Sequence, residues 1–223
     1  MPTKFDTSRG SGKPTSVRHR LFARFYPRIA AYADAHGGRE HRRELLAETS
    51  GRVLEIGAGN GGNFRHYPAT VEQVIAVEPE PGLRRSAELA AAGATVPVQV
   101  IDGRAEALPV SDRSVDAVVL SLVLCSIADV PAALAEAARV LRPGAHLYFY
   151  EHVRSEHPGF ARKQRRLDLV WPLLAGGCHL TRDSEQAIAE AGFTIEHARR
   201  FDFLLDGRRT PVSPSVIGVA TRK

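Results

Sequence analysis

The chain has 223 residues, 43% hydrophobic and 25% charged, a balance that supports one packed core with or without a lid and does not fit an intrinsically disordered chain. Its net charge is +5 and its pI about 9.5, but the arginines are scattered as pairs (Arg42-Arg43, Arg84-Arg85, Arg199-Arg200, Arg208-Arg209) with one denser cluster at Arg162, Lys163, Arg165 and Arg166; without stacking aromatics among them they read as a solvated surface rather than a nucleic-acid face, with an anionic substrate as the next reading. No apolar run reaches the roughly 18 residues of a membrane span, Met1-Pro2-Thr3-Lys4 does not open a secretory signal, and two cysteines without CxxC spacing argue against a disulfide framework or a structural zinc, so a cytoplasmic location without a metal is expected.

Residues 1–16, rich in Ser, Thr, Gly, Pro and Lys, read as a disordered tail. Residues 17–50 read as a helical lid. Leu21, Phe22, Phe25, Ile29 and Tyr32 recur at helical spacing, Pro27 predicts a break or kink near Tyr26, and a second helix spans about 39–48. From residue 51 to 223 the rhythm is that of one α/β domain. Short apolar runs at 52–56, 73–78, 96–101, 115–121 and 145–152 read as strands, and 62–67, 81–92 and 130–141 as helices. Such alternation predicts a doubly wound, mostly parallel sheet. A long helix over 158–175 comes next. A helix over 183–191 follows, with Thr181 or Asp183 at its N-cap and Gly192 past its end, and then two final strands at 193–201 and 216–222.

Ligand-binding signals collect at the strand ends, where open α/β sheets hold their ligands. Glu55-Ile56-Gly57-Ala58-Gly59-Asn60-Gly61-Gly62-Asn63 turns from the first strand into a helix, and its glycines let a ligand lie against bare backbone. Glu78, followed by Pro79, ends the second strand, where a carboxylate accepts the hydroxyls of a ribose. Gly103, Arg104, Ala105 and Glu106 follow the third strand and are expected at an adenine edge. Ser121, Leu122 and Cys125 end the fourth and floor the pocket. Gly57, Gly59 and Gly62 also satisfy the dinucleotide fingerprint, but Glu55 would crowd a pyrophosphate and suits a cofactor with a positive amine.

As a set, ExGxGxG, the acidic end of strand two, Gly103-Arg104-Ala105-Glu106-Ala107-Leu108-Pro109 and Val140-Leu141-Arg142-Pro143-Gly144 resemble the class I S-adenosylmethionine-dependent methyltransferases. The resemblance covers about residues 50–152. It implies a Rossmann-like fold, with a seven-stranded, mostly parallel sheet whose last strand is antiparallel. It places Gly57, Gly59 and Asn60 on the methionine side, Glu78 on the ribose and Ala105 near the adenine. Many relatives carry Asp where this chain has Arg104, which leaves the adenine amine to Glu106 or the backbone.

Four further segments, Gly61-Gly62-Asn63-Phe64 with Tyr67-Pro68, Leu122-Val123-Leu124-Cys125-Ser126, Tyr148 to Val153, and Gly177-Cys178-His179-Leu180-Thr181-Arg182, are similar to the animal alkyl-thiol S-methyltransferases and their bacterial relatives. That likeness implies methyl transfer to a small-molecule thiol, giving a thioether and S-adenosylhomocysteine. The animal proteins begin with a hydrophobic anchor and this chain with a polar tail, so membrane attachment is not carried over. A thiol with pKa about 8.5 is only a few per cent ionised at neutral pH, so a base near the sulfur helps. His152, after the fifth strand, is the candidate, with Glu151 to orient it or bind substrate. Phe22, Tyr26, Cys125, Trp171, His179 and Arg182 are the expected substrate-pocket residues. Phenol, quinone or amine acceptors fit the same scaffold, and a nucleotide- or RNA-binding role through the 162–166 cluster is the non-enzymatic alternative. No NPPY-like tetrapeptide follows the fourth strand, which weighs against a nucleic-acid substrate. The sequence leaves the oligomeric state open.

Overall fold

The computed structural model describes residues 20–222; the expected tail at 1–16 and the first residues of the lid lie outside them. Seven strands form one sheet: β1 (Gly51–Ile56), β2 (Val71–Val77), β3 (Val98–Ile101), β4 (Val115–Ser121), β5 (Leu141–His152), β6 (Phe193–Asp202) and β7 (Pro214–Arg222). Their order is β3-β2-β1-β4-β5-β7-β6. The first five run parallel, while β7 inserts antiparallel between β5 and β6, as the family resemblance implied.

The strands are apolar because both faces are covered. Along β1 and β4, Leu54, Ile56, Val118 and Leu120 enter one core with Leu134 and Ile188. Their neighbours Val53, Ala117 and Val119 enter the other with Leu45, Leu46 and Ala87. The helices supplying these residues are α2 (Arg39–Leu46), α3 (Pro81–Ala91), α4 (Val130–Val140) and α7 (Ser184–Glu190). Three of them start on carboxylate caps: Glu80 accepts the Leu83 amide, Asp129 that of Ala132 and Asp183 that of Gln186. Asp183, one of the two residues expected at that position, is thus the α7 cap.

Two expectations about helices are corrected. The first helix, α1 (Arg20–Ala33), runs through Pro27 without a break. The turn comes later, at His36 and Gly37, where Gly37 has φ +109°. Burial of Ala23 and Ala30 holds both sides of the proline in one helix. The expected helix over 158–175 is two pieces, α5 (Pro158–Leu167) and the short α6 (Trp171–Leu174). On α5, Ala161 and Gln164 are buried while Arg162, Lys163, Arg165 and Arg166 face solvent. No helix among the described residues is long and apolar enough to cross a membrane.

The strand order reverses between β1 and β4, so their carboxyl ends diverge into a crevice. The loops after β1, β2, β3 and β4 all reach it.

Candidate active site

The loop leaving β1 is shaped by two buried carboxylates. Gly57 and Gly59 take φ +70° and +58°, conformations in which a Cβ is strained. A Cβ on Gly57 would also lie 2.3 Å from Val123 Cγ2, so glycine is the only residue that fits there. Glu55 Oε1 accepts the Asn63 side-chain amide at 2.9 Å and its Oε2 the Tyr67 hydroxyl at 2.8 Å. Arg42, from α2, donates to Asn63 Oδ1 at 2.8 Å and to Asp34 at 2.9 Å. A buried polar chain thus runs from the N-terminal helices through Asn63 to the first strand. Glu78, just past β2, accepts the Gly59 amide on one oxygen at 2.8 Å and the Glu80 amide on the other at 2.9 Å. Arg84 fastens the same loop, donating to the Glu78 carbonyl and to Asp102. Burial pushes both Glu55 and Glu78 up to about 7.

A third carboxylate shapes the loop after β4. Leu122 is left-handed, φ +58°, which costs a non-glycine residue about 1–2 kcal/mol. Its amide bonds the Tyr150 carbonyl at 2.6 Å, and the next three amides, of Val123, Leu124 and Cys125, turn onto the Glu151 carboxylate at 3.0, 2.9 and 3.3 Å. Glu151 is fully buried; burial raises its pKa while the three amides pull it back down.

These loops enclose a cavity of about 350 Å³, a size suited to a cofactor with a small substrate. Of the expected site residues, Gly57, Gly59, Glu78, Pro79, Gly103, Arg104, Ala105, Glu106, Leu122, Phe22, Tyr26 and His179 line it. Phe22 and Tyr26 form a tilted ring pair with centroids 5.1 Å apart, so α1 contributes an aromatic wall. Sequence reasoning passed over Leu83, Ile127 and Gly176, which line it too. They are small or apolar, Leu83 on α3 and the other two in loops, with no chemical signature of their own.

The other expected residues lie behind the walls. Glu55 is buried and off the lining; each of its oxygens accepts one hydrogen bond, from Asn63 and from Tyr67, so in this structure it braces the glycine loop. Ala58 and Asn63 are buried, and neither Asn60 nor Ser121 is on the lining. Glu151 does not orient His152, because its oxygens hold the β4 loop. His152 is itself off the lining; its Nδ1 faces the buried thiols of Cys125 and Cys178 at 3.9 and 3.8 Å. Arg182 donates to the Ile127 carbonyl at 2.7 Å and braces the wall rather than meeting a substrate carboxylate. Trp171 begins α6, away from the lining.

His179 is the imidazole at the cavity. Its Nδ1 lies 3.2 Å from Asp168 Oδ2, and Asp168 is fixed by the Leu180 amide at 2.5 Å and the Thr181 hydroxyl at 3.0 Å. A proton on Nδ1, shared with Asp168, leaves Nε2 as an acceptor. Asp168 escaped the sequence reading because it sits inside the stretch expected to be one helix; it is instead the C-cap of α5.

The glycine cradle, the Glu78 carboxylate with lone pairs remaining beyond its two amides, and the loop after β3 lie along one trough, which fits an elongated nucleoside carrying an amino-acid arm. A methyltransferase-domain family model matches residues 54–149. The human thiol S-methyltransferase TMT1A is 38% identical over 165 residues, covering 69% of this chain and 67% of that protein. Rat TMT1B is 33% identical over 197 residues, covering 81% and 78%. The chain belongs to this family of class I S-adenosylmethionine-dependent methyltransferases. An S-adenosylmethionine-dependent methyltransferase from Thermotoga maritima superposes with a TM-score of 0.69 at 21% identity, over 91% of this chain and 98% of its own, which establishes the shared fold. Family and fold make the chain a methyltransferase that uses S-adenosylmethionine.

The Glu55 carboxyl makes the brace of the glycine loop pH-dependent. Its folded value of about 7 lies above the usual 4.5, so between those values the folded chain keeps a proton that the unfolded chain has lost. Its contribution to stability therefore declines as pH rises through that window. Glu55→Gln removes the titration. The variant's stability relative to wild type should rise by about 2 kcal/mol from pH 5 to pH 8, measured by urea unfolding at both. A constant difference would place the carboxyl at its ordinary value.

Proposed function

We propose that this chain transfers a methyl group to the sulfur of a small-molecule thiol, with His179 as the proton acceptor. The observation carrying this reading is the cavity lining, in which a single imidazole, His179, held by the Asp168 carboxylate, shares the wall with Phe22, Tyr26, Ile127 and Gly177. A neutral thiol enters such an apolar space at little desolvation cost. The similarity to TMT1A and TMT1B supports sulfur as the acceptor atom. Two free cysteines are compatible with a cytoplasmic location, which we include in the proposal.

Bound S-adenosylmethionine supplies a methyl on a sulfonium, and the remaining requirements fall on this chain. In the proposed arrangement Glu78 accepts the ribose hydroxyls. Pro79, Leu83 and the segment Gly103 to Glu106 pack the adenine. Gly57 and Gly59 admit the methionine arm against backbone. Residues 20–50 act as the lid, with Phe22 and Tyr26 excluding water. As the thiol attacks and gives up its proton, the positive charge of the sulfonium disperses and ends on the imidazolium, a change that a site shielded from water favours. His179 Nε2 takes the thiol proton as the sulfur attacks, while Asp168 holds the ring and balances the imidazolium. Most of the acceleration comes from holding the sulfur in line, about 3–3.5 Å from the methyl carbon.

Two experiments test this reading. Glu78→Gln should weaken S-adenosylhomocysteine binding by about 10- to 100-fold, the loss of charge-assisted hydrogen bonds, read by calorimetry; unchanged affinity would remove Glu78 from the ribose. In a panel of thiols, phenols and amines with labelled methyl donor, label should appear in thioethers; label confined to phenols, quinones or amines would replace sulfur as the acceptor. Within the same panel, His179→Gln should lower kcat/KM for an alkyl thiol by about 100-fold and spare an arene thiol already ionised at the assay pH. Equal losses for both would reject proton transfer through His179.

A further inference from the structure

Outside the cavity, two buried thiols and one imidazole converge from three parts of the chain. Cys125 lies in the loop after β4, His152 closes β5, and Cys178 follows α6. The Sγ atoms of Cys125 and Cys178 are 3.9 and 3.8 Å from His152 Nδ1, and the three atoms lie within 4.8 Å of one another. Cys125 is 1% exposed and Cys178 6%. The backbone fixes this meeting. The His179 amide donates to the Cys125 carbonyl at 2.8 Å, joining the two cysteine segments. The Glu151 carboxylate holds the Cys125 amide at 3.3 Å, joining the first of them to the strand that carries His152.

We propose that Cys125, Cys178 and His152 form a three-ligand site for a thiophilic d10 cation, zinc, which clasps the acceptor wall of the cavity. With Zn–S about 2.3 Å and Zn–N about 2.0–2.1 Å, a tetrahedral ion needs S···N edges of about 3.6 Å and an S···S edge of about 3.8 Å. The two S···N separations need to close by only about 0.2–0.3 Å, and the S···S separation, which is within 4.8 Å, by at most about 1 Å. Two thiolates and one neutral imidazole are a soft donor set, and the thiolates cancel the charge of a dication in a buried place. Binding is balanced: the ion enters, each thiol releases its proton to solvent, and the imidazole keeps its remaining proton on Nε2. One tetrahedral position is left for an exogenous ligand. The clasp matters for the cavity because Val123 and Ser126, near Cys125, and Gly177 and His179, beside Cys178, all line it. The inference does not depend on which acceptor is methylated.

The test uses the full chain, reduced and stripped with chelator, then titrated with Co²⁺ as a spectroscopic probe and Zn²⁺ as competitor. The expected result is one equivalent of Co²⁺ with sulfur-to-metal charge-transfer absorption and the intense visible bands of a tetrahedral ion, displaced by Zn²⁺. The Cys125→Ser/Cys178→Ser double variant should lose the charge-transfer band and bind at least about tenfold more weakly. His152→Gln should keep the band and bind more weakly. Since core cysteine replacements can unfold a chain, wild-type protein supplies the companion measurement: Zn²⁺ should raise its thermal midpoint and slow alkylation of both thiols. No uptake by the reduced chain, uptake unchanged in a folded double variant, or alkylation indifferent to Zn²⁺ overturns the site. S-adenosylhomocysteine affinity in the same samples separates the outcomes, because intact cofactor binding without metal uptake refutes the clasp and leaves the methyltransferase function standing.

Discussion

Buried carboxylates at the carboxyl ends of strands organise this protein. Glu55, Glu78 and Glu151 lie at the ends of β1, β2 and β5, nearly or fully removed from water. A carboxylate in such a place is tolerated only when donors surround it. Here the donors lie in the cavity walls or directly behind them: the Gly59 amide in the glycine loop with Asn63 and Tyr67 behind it, the Glu80 amide after β2, and three consecutive amides after β4. Each buried carboxyl group thus fixes the loop that donates to it. Breaking one leaves either an uncompensated charge or a row of unpaired amides, which is a stronger constraint than local backbone preference. Leu122 illustrates this, holding a left-handed conformation so that the amides after it can reach Glu151.

Much of the fold was legible in the sequence because hydrophobic periodicity records it directly. The apolar runs of β1 through β5 and the alternation with helices fix a doubly wound sheet, and carboxylates ahead of Leu83, Ala132 and Gln186 mark three helix starts. What failed was local inference where packing overrides it. Pro27 suggests a break, yet buried Ala23 and Ala30 keep α1 continuous. The stretch over 158–175 carries enough apolar residues for one helix, but Asp168 caps α5 and turns its carboxylate toward His179, Leu180 and Thr181.

The cofactor trough was more legible than the acceptor end, for a physical reason. Glycines at Gly57 and Gly59 and a carboxylate at Glu78 follow directly from contiguous motifs at strand ends. The acceptor end is assembled from α1, the loop after β4 and the turn after α6, and contacts between segments so distant leave no spacing to read. Position at a strand end was a poor guide to which histidine meets the cavity: His152 ends β5 but faces two thiols, whereas His179 reaches the lining from a turn. Cys125 and Cys178 likewise lack any short-range spacing, and only the sheet topology brings them together. Glu55 shows the opposite hazard, since a motif residue identified from the sequence bonds Asn63 and Tyr67 and is not on the cavity lining.

The central claim, that buried carboxylates hold the loops in their cavity-lining shape, is tested most directly at Glu151, whose side chain accepts from three consecutive amides of the loop it is said to support. Hydrogen exchange at the Val123, Leu124 and Cys125 amides should be slow in the wild-type chain, because these amides are bonded to a fully buried acceptor. In Glu151→Gln, the account predicts faster exchange confined to these amides, with the protection of β1, β2 and β4 unchanged and affinity for S-adenosylhomocysteine reduced. Protection of the three amides equal to wild type, or loss of protection throughout the sheet, would contradict it.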